Sequence, residues 1–321
     1  MNTSFPIKDD VRQFIDNLRV KYKNKRFWPN FLFHYTDIDN IPAILMNGYL
    51  LSRNNAKSGS LLKCDSASQS VLQNSPDWIG DFVRLYFRPK TPPLWHIEGF
   101  TLGGNLKTEH DAHCPVPVYL LFSSKSVLSI PDMRFSEQNL ALQSSQTYDD
   151  TADLSMLDFS KIYHDDGTGM SDPQFKRTIV ASRCAEVVIP RRLSLDDHLA
   201  YLVCRSDAER VTLLNLLDPV LRAKYGGRTK FGPLCFHRRQ QFVTSVNLRE
   251  NGLSISYNKM SEEQYQYMFE FCFSKGVISR DYTEPQNGFS FESPQRNYTI
   301  IHTIDGHIAY KGKYEHVDLP F

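Results

Sequence analysis

The order of apolar and polar positions in the first two hundred residues predicts strands and helices mixed along the chain. Apolar side chains recur at helical spacing between Lys8 and Lys25, which predicts an amphipathic helix. A second helix is expected from Asp37, whose carboxylate can cap it, to Gly48, which ends it. Compact apolar, β-prone runs predict strands at residues 31–36, 83–87, 116–122, 185–190 and 198–204.

The pattern changes after a helix predicted at residues 207–217. Beyond Gly227, short apolar runs separated by turn residues are typical of hairpins. The aromatic-rich stretch at 260–273 predicts a helix among these strands. We therefore place a domain boundary near residue 228, with a first domain at 1–228 and a small C-terminal α+β domain of unknown role at 229–321.

Composition narrows the classes of protein that fit this pattern. The 321 residues are 41% hydrophobic, which suffices for one large core with a smaller satellite. The formal net charge is only +1, whereas proteins that bind duplex DNA through its phosphates are usually more basic. No apolar run is long enough to span a membrane, no signal-peptide pattern opens the chain, and six scattered cysteines lack zinc spacing. We expect a cytoplasmic protein without a membrane segment or a metal.

Three separated segments carry candidate chemistry. The first is FHYT at residues 33–36 with the helix that follows it, the second is VRLYFRPKTPPLWHIEG at residues 83–99, and the third is FKRTIVASRCAEVVIP at residues 175–190. Each segment is ordinary by itself, because a histidine in a strand usually makes a structural hydrogen bond and a Tyr-Phe pair is usually core. Their order along the chain is more informative than any one of them.

In this order the segments resemble the DarT family of nucleic-acid ADP-ribosyltransferases. The resemblance runs from about Phe31 to Leu217. It rests on the HYT strand with its IPAILMNG helix, the YFRPKTP block, the RCAE strand and the RSDAERVTLL stretch at residues 205–214. It implies the α+β split-sheet fold shared with diphtheria-type toxins and poly(ADP-ribose) polymerases. It also implies an enzyme that takes NAD⁺ as co-substrate, needs no metal and modifies a base of single-stranded DNA or RNA, with DNA favoured.

The resemblance also implies roles for individual residues. Glu186 would hydrogen-bond the ribose 2′-hydroxyl and stabilise positive charge developing on the sugar. His34 would hydrogen-bond the adenosine-side ribose, and Tyr86 would stack on the nicotinamide ring. The remaining positions implied for NAD⁺ binding are the backbone of Tyr35 and Thr36, which would read the nicotinamide amide, and Gly48 and Leu51, which would line the cleft.

The acceptor base is specified by fewer residues. Thymine-directed members use an arginine well upstream of the second strand, and Arg53 is the only arginine between His34 and Arg84. The chain therefore looks closer to the guanine-directed branch and its RNA-directed relatives. Arg84 and Arg88 flank Tyr86 at spacings of two and would share its strand face. Both are predicted catalytic residues, and a guanidinium also suits an NAD⁺ phosphate, the nucleic-acid backbone or a salt bridge to a carboxylate.

The long polar segment from Phe135 to Gln174 precedes the Glu186 strand, where transferases of this fold keep the loop that reads the acceptor. Tyr163 lies in this segment, and its ring suits clamping a splayed base. Further candidates for nucleic-acid binding are Lys176, Arg177 and Arg183 beside the strand, and Lys90, His96 and Glu98 near the base pocket.

Several alternatives remain open on the sequence alone. The basic run from Arg222 to Arg239 contains no acidic residue and is either a nucleic-acid strip or a solvated linker. The same chemistry could act on RNA or on a protein side chain, or the chain could be an idle binding module. An intact set of His34, Tyr86 and Glu186 argues against an idle module. The resemblance further implies a toxin held in check by an antitoxin protein, with a possible role against phage.

Overall fold

Strands and short helices alternate through the part of the chain that the structure describes. The computed structural model describes residues 6–25, 27–66, 73, 75–100, 112–141, 145–169, 172–260, 264–293 and 295–316. The strands are β1 (Phe31–Asp37), β2 (Tyr49–Leu51), β3 (Phe82–Tyr86), β4 (Pro117–Ser123), β5 (Arg134–Phe135), β6 (Glu186–Pro190), β7 (Arg192–Ser194), β8 (Leu199–Cys204), β9 (Thr229–Phe231), β10 (Val243–Arg249), β11 (Gly252–Tyr257), β12 (Tyr267–Phe273), β13 (Gly276–Tyr282), β14 (Gly288–Glu292), β15 (Tyr298–Ile304) and β16 (His307–Tyr314).

The helices are mostly short and lie before β9. Those described are α1 (Asp9–Lys21), α2 (Ile41–Asn47), α3 (Arg53–Ser58), α4 (Pro92–Ile97), α5 (Ser124–Val127), α6 (Phe159–Ile162), α7 (Pro173–Ser182), α8 (Leu195–His198), α9 (Asp207–Leu216) and α10 (Pro219–Tyr225). Single 3₁₀ turns are found at Lys23–Lys25, Trp28–Asn30, Ile38–Asn40, Asp77–Asp81, Thr151–Met156, Gly226–Arg228 and Pro233–Cys235. No described helix has the length and apolar character needed to cross a bilayer.

The five strands and three helices predicted before residue 218 are confirmed within a few residues. α2 ends at Gly48 in the left-handed conformation (φ 76°), as the Asn-Gly pair predicts. A 3₁₀ turn precedes this helix, with the Asp37 side chain accepting a hydrogen bond from the backbone N–H of Asp39. The segment from Phe135 to Gln174 contains β5, a 3₁₀ turn and α6, so it is more structured than a loop.

One seven-stranded sheet holds the three candidate segments together. Its strand order is β5-β6-β3-β1-β4-β8-β9, and all neighbours are antiparallel except β8 and β9. β1 pairs with β4 over its full length but meets β3 at a single register pair, Phe33 opposite Tyr86. The two central strands are therefore not paired beyond this position, and we refer to this split between them as the cleft. β2 and β7 form a small two-stranded sheet that contacts β3.

The C-terminal part consists of two antiparallel sheets. Their orders are β10-β11-β14 and β13-β12-β15-β16. The helix predicted at 260–273 is wrong, because Tyr267–Phe273 is a strand whose buried and half-buried positions alternate. Aromatic density suggested a helix, but Tyr267, Phe269 and Phe271 are spaced by two and all face the core. The only described helical turn after residue 228 is Pro233–Cys235.

The two parts of the chain share one core. α9 packs against β9 on one side and against β10 and β16 on the other. The Oγ of Ser206 donates to the carbonyl of Val243, and the backbone N–H of Lys311 donates to the Oγ of Thr212. The seven-stranded sheet also takes in β9, which lies just beyond the predicted boundary at residue 228. The boundary itself remains a prediction.

We expect a chain that ends at Gly227 to lose cooperative folding. Truncation would remove β9 from the edge of the large sheet and would expose the side of α9 that packs on β16. Circular dichroism melting and size-exclusion chromatography would measure this loss. The full chain, measured under the same conditions, is the reference. A cooperative transition in the shorter chain would contradict the shared core.

Candidate active site

The cleft between β1 and β3 contains a buried carboxylate. Glu186 is the first residue of β6, where it lies opposite Tyr86 of β3, and its side chain is fully buried. Both carboxylate oxygens accept from Arg84: Nε donates to Oε2 at 2.9 Å and Nη2 to Oε1 at 2.5 Å. Burial raises the pKa of the Glu186 carboxyl, and the guanidinium beside it opposes this rise. Two charge-assisted bonds of this geometry favour the ionised form of the carboxylate and fix its direction.

Arg84 reaches the carboxylate because β3 places it two residues before Tyr86 on the same face. Its Nη2 also donates to the side-chain oxygen of Asn139 at 3.0 Å, so the guanidinium is held from two sides. Its side chain is 27% exposed, which leaves one edge open to the cleft. The alternative left open for Arg84, a salt bridge to a nearby carboxylate, is thus observed, and the carboxylate is that of Glu186. The catalytic role of Arg84 remains a prediction.

The side chain of His34 links β1 to β3 where the two strands have little backbone pairing. Its Nδ1–H donates to the carbonyl of Arg84 at 2.9 Å, which leaves the Nε2 lone pair as an acceptor on the other side of the ring. Burial lowers the pKa of the His34 imidazole to about 4. The ring is therefore neutral at physiological pH and has a single fixed tautomer. Such a nitrogen can accept a hydrogen bond from a ribose hydroxyl.

We expect the ring resonances of His34 to stay constant as the pH is lowered from 8 to about 5.5. A lowered pKa means that the folded chain binds the proton only near pH 4, whereas an ordinary histidine binds it near 6.5. The stability that the neutral ring contributes is complete above 6.5 and is lost as the pH falls through 4. NMR titration would test this, with His34→Asn used to assign the signal. A midpoint near 6.5 would contradict the buried environment.

Two tyrosine rings lie side by side at the cleft. Tyr35 of β1 and Tyr86 of β3 are nearly parallel, with 7° between their planes and 6.1 Å between their centroids. Tyr119 of β4 packs edge-on against Tyr35 at 6.0 Å. These rings form an aromatic row across the sheet on the face that carries Glu186. The parallel rings of Tyr35 and Tyr86 thus lie beside the carboxylate, and Tyr119 extends the row to β4.

The other residues predicted to bind NAD⁺ lie around this row in different ways. The Oγ1 of Thr36 accepts from the side chain of Asn40, so its hydroxyl is occupied within the fold. Gly48 ends α2, and Leu51 pairs with Arg192 in the small sheet next to β3. Thr36 is thus in β1 and Leu51 in the small sheet that contacts β3, and the roles of all three residues toward NAD⁺ remain predictions.

Arg88 does not join the Arg84–Glu186 pair, because β3 ends at Tyr86 and the chain turns away. Its guanidinium is buried and donates to the carbonyl oxygens of Ile162 and His164 and to the carboxylate of Asp165. Its face also lies over the Trp28 ring at 4.8 Å. The structure therefore gives Arg88 a structural role, fixing the chain at residues 162–165, in place of the predicted catalytic one.

The residues predicted to bind nucleic acid separate into buried and exposed ones. Tyr163 is buried among the rings of Tyr22, Trp28 and Phe159, so it has no free face for a base, and that prediction is corrected. Arg183 donates to the carbonyls of His164 and Asp166 and to Nδ1 of His164, which places it with Arg88 on the same segment. Lys176 and Arg177 are exposed on α7.

The base-pocket candidates of the second segment also differ in placement. Glu98 is buried and accepts from the backbone N–H groups of His237 and Arg238 and from Arg205, which is a structural role. Lys90 is partly exposed, with its Nζ 4.0 Å from the carboxylate of Asp165, and His96 is exposed on α4. Among the described residues no cluster of three metal-ligating side chains was found.

Asn139 is the contact that sequence patterns missed. Its side-chain oxygen accepts from Arg84 and from the backbone N–H of Ala141. It lies in an irregular segment after β5, where neither spacing nor composition marks it. Only the pairing of β5 with β6 brings this segment to the cleft.

Comparison with known proteins bears on this arrangement. The family model described as "DarT: ssDNA thymidine ADP-ribosyltransferase, DarT" matches residues 33–225, which is more than half of the chain. The chain belongs to the DarT family. The match covers every strand that forms the cleft, and the predicted class of enzyme, an ADP-ribosyltransferase, is confirmed at the level of the family. No curated protein matches the chain.

Solved DarT structures are similar in fold. The Thermus sp. 2.9 DarT in complex with ADP-ribosylated ssDNA is 17% identical, with 65% of this chain and 97% of that one covered and a TM-score of 0.50. The same protein in complex with NAD⁺ is 18% identical, with 65% of this chain and 98% of that one covered and a TM-score of 0.48. Thermosipho africanus DarTG in complex with ADP-ribose is 19% identical, with 64% of this chain and 51% of that one covered and a TM-score of 0.44. The first of these likenesses confirms the predicted α+β split-sheet fold. The C-terminal sheets lie outside the family match.

Proposed function

We propose that this DarT chain transfers ADP-ribose from NAD⁺ to a base of single-stranded DNA. The observation that carries the proposal is the fully buried carboxylate of Glu186, which accepts two hydrogen bonds from Arg84 beside a cleft of the sheet. A charge preorganised in a site from which water is largely excluded stabilises a cationic transition state more than the same charge in water. The family match and the complexes of the Thermus protein with NAD⁺ and with ADP-ribosylated ssDNA support the same reaction.

The residues at the cleft carry polar atoms and a ring that could bind NAD⁺. Each oxygen of Glu186 keeps a lone pair beside its bond to Arg84, and that lone pair can accept the ribose 2′-hydroxyl. The Nε2 of His34 would accept a hydroxyl of the other ribose. Tyr86 offers its ring to the nicotinamide, and Arg84 keeps Glu186 charged while positive charge develops on the sugar. In this proposal His34 and Tyr86 bind NAD⁺, and Glu186 with Arg84 stabilises the transition state.

The acceptor base is proposed to be guanine. Arg53, the one arginine upstream of β3 that could stand where thymine-directed members use theirs, is paired with Asp65 at 2.5 Å. Lys57 contacts the same carboxylate at 3.2 Å, so Arg53 is held within its own cluster. An arginine engaged in this way is poorly placed to orient a thymine. Acceptor contacts from Lys176 and Arg177 on α7 belong to the same proposal.

The reaction is tested by incubating the full chain and NAD⁺ with single-stranded homopolymers and mixed oligomers of DNA and of RNA. Mass spectrometry should find one added ADP-ribose unit on guanine-containing DNA, and none on a thymine homopolymer. Addition to RNA alone would replace the DNA assignment with the RNA alternative. Label found only on protein, and surviving nuclease treatment, would reject nucleic acid as the acceptor.

The biological setting is proposed from the family resemblance alone. The chain would act in the cytoplasm as a toxin, restrained by an antitoxin protein. Co-expression with a neighbouring gene that relieves growth arrest would support this setting. An active chain that leaves growth unaffected would oppose it.

A further inference from the structure

An exposed group of aromatic and cationic side chains lies away from the Glu186 cleft. It consists of Trp95 on α4 together with His237, Arg238 and Arg239, and we refer to these four residues as the Trp95 platform. Trp95 is 44% exposed, and both arginines are exposed. Three of the four residues lie beyond the segment matched by the family model, so nothing in that match assigns them a role.

The platform is a stacked arrangement with fixed partners. The guanidinium carbon of Arg239 lies 4.0 Å from the centroid of the Trp95 ring, and its Nη1 donates to the Trp95 carbonyl at 3.2 Å. The ring of His237 packs edge-on against the same indole at 5.0 Å. A guanidinium that lies over an indole forms a cationic aromatic surface, and nucleobases stack on surfaces of this kind.

Buried groups hold the platform in place. The Oε2 and Oε1 of Glu98 accept from the backbone N–H groups of His237 and Arg238 at 2.8 and 2.9 Å. Arg238 has a positive φ of 59°, a conformation that costs a non-glycine residue energy and persists only when its surroundings impose it. Gly99 permits the close approach, because a Cβ there would lie 2.6 Å from that of Gln240.

The arginine side chains of the platform lie in a stretch of sequence without acidic residues. From Pro219 to Arg249 the sequence has seven Lys and Arg residues and no Asp or Glu. Among the residues that the structure describes, Arg238 and Arg239 make no salt bridge to a carboxylate. An exposed, uncompensated cationic surface with flat rings is complementary to a polyanion that carries aromatic bases.

A continuous line of contacts joins the platform to the cleft. The aromatic row of Tyr86, Tyr35 and Tyr119 continues to Phe236, whose ring lies 5.2 Å from Tyr119. Phe236 directly precedes His237. The platform thus follows directly in the chain on the last ring of the row that begins beside Glu186.

We propose that the Trp95 platform binds single-stranded DNA a few nucleotides away from the modified base, by stacking one base on the Trp95–Arg239 pair. This inference rests on the proposed function, because it assumes that the strand occupies the cleft. It assigns the basic run from Arg222 to Arg239, which the sequence left open, to nucleic-acid contact at its C-terminal end. Stacking on an aromatic ring does not distinguish one base from another. The platform would therefore increase the affinity for single-stranded DNA and fix the position of the strand, without a preference for sequence.

The test measures binding of a fluorescein-labelled, mixed-sequence single-stranded DNA oligomer to the full chain by fluorescence anisotropy, without NAD⁺. Trp95→Ala should raise Kd roughly 5- to 150-fold, the range for loss of one base–aromatic stack. Arg239→Ala should weaken binding and reduce the slope of log K against log salt by about 0.7, as expected for one fewer cation on a single strand.

The matched control is Arg280→Ala. Arg280 also lies over aromatic rings, those of Phe271 and Phe291, but on β13 in the C-terminal sheets. The Arg280→Ala chain should bind the oligomer with the same Kd as the parent chain. Thermal melting with and without NAD⁺ accompanies each variant, since an unchanged shift on adding NAD⁺ shows that the cleft is intact.

The outcomes separate this inference from the proposed function. Unchanged DNA affinity in both Trp95→Ala and Arg239→Ala would overturn the platform, even if the parent chain modifies DNA. Weaker binding in these variants would uphold it, even if no base is modified. Weak binding together with loss of the NAD⁺-induced shift would overturn it as well, because a structural role would then explain the result. Binding of an RNA oligomer alone would overturn the assignment to DNA.

Discussion

Replacing Glu186 with glutamine is expected to slow ADP-ribose transfer by at least about 10²- to 10³-fold, the usual loss when a preorganised stabilising group is removed from an active site. The amide keeps the size of the side chain but has no charge to oppose positive charge on the ribose. Because the carboxylate acts mainly on the transition state, NAD⁺ affinity should change little. Single-turnover rates, followed by mass spectrometry, and the NAD⁺-induced thermal shift measure the two effects.

Glu98→Gln is the control for this variant. Glu98 is also buried and also contacts an arginine, but it lies in the structural network beside α4. Its substitution should lower stability more than the rate of the folded enzyme. A Glu186→Gln enzyme with turnover near that of the parent would remove the carboxylate from the reaction and the main support for the proposed function.

Removing the Arg205 side chain is expected to destabilise the chain by about 3–5 kcal/mol, the cost of leaving buried charges without their partner. The guanidinium is fully buried and donates to Glu209 at 3.0 and 2.5 Å, to Glu98 at 3.3 Å and to the carbonyl of Pro115. The Phe242 ring covers one face at 4.1 Å. In Arg205→Ala, both carboxylates would remain buried. Urea denaturation of the two chains gives the difference in the free energy of unfolding.

Arg210→Ala tests whether this effect comes from burial. Arg210 is on the same helix, α9, and pairs with Asp207 at 2.7 Å, but both side chains are partly exposed. Exposed pairs of this kind contribute less than about 1 kcal/mol. An equal decrease in the free energy of unfolding in the two variants would show that the buried Arg205 network contributes no more to stability than an exposed ion pair. Since Glu98 also positions His237 and Arg238, the Arg205→Ala chain should bind single-stranded DNA more weakly when folded.

The sequence correctly predicted the strands and helices that are specified by local patterns of apolar residues and by residues typical of helix ends. β1, β4 and β6 are apolar runs, and α2 follows a turn capped by Asp37 and ends at Gly48, so spacing and local chemistry specify them. The resemblance placed Glu186, His34 and Tyr86 by their positions in short motifs, and the fold brings these motifs to one cleft. Local rules failed at 260–273, because aromatic residues favour both strands and helices when buried and only the partners β13 and β15 decide.

The sequence by itself thus determined the family, the α+β class and the residues that could form a site. The tertiary structure alone decided which of the arginines faces Glu186, since Arg84 and Arg88 look alike on a regular strand and differ only because the strand ends between them. It also decided that Tyr163 is core, that Asn139 holds Arg84, and that the basic run meets Trp95. These contacts join residues far apart in the chain, and no local pattern records which of many possible partners the packed core brings together.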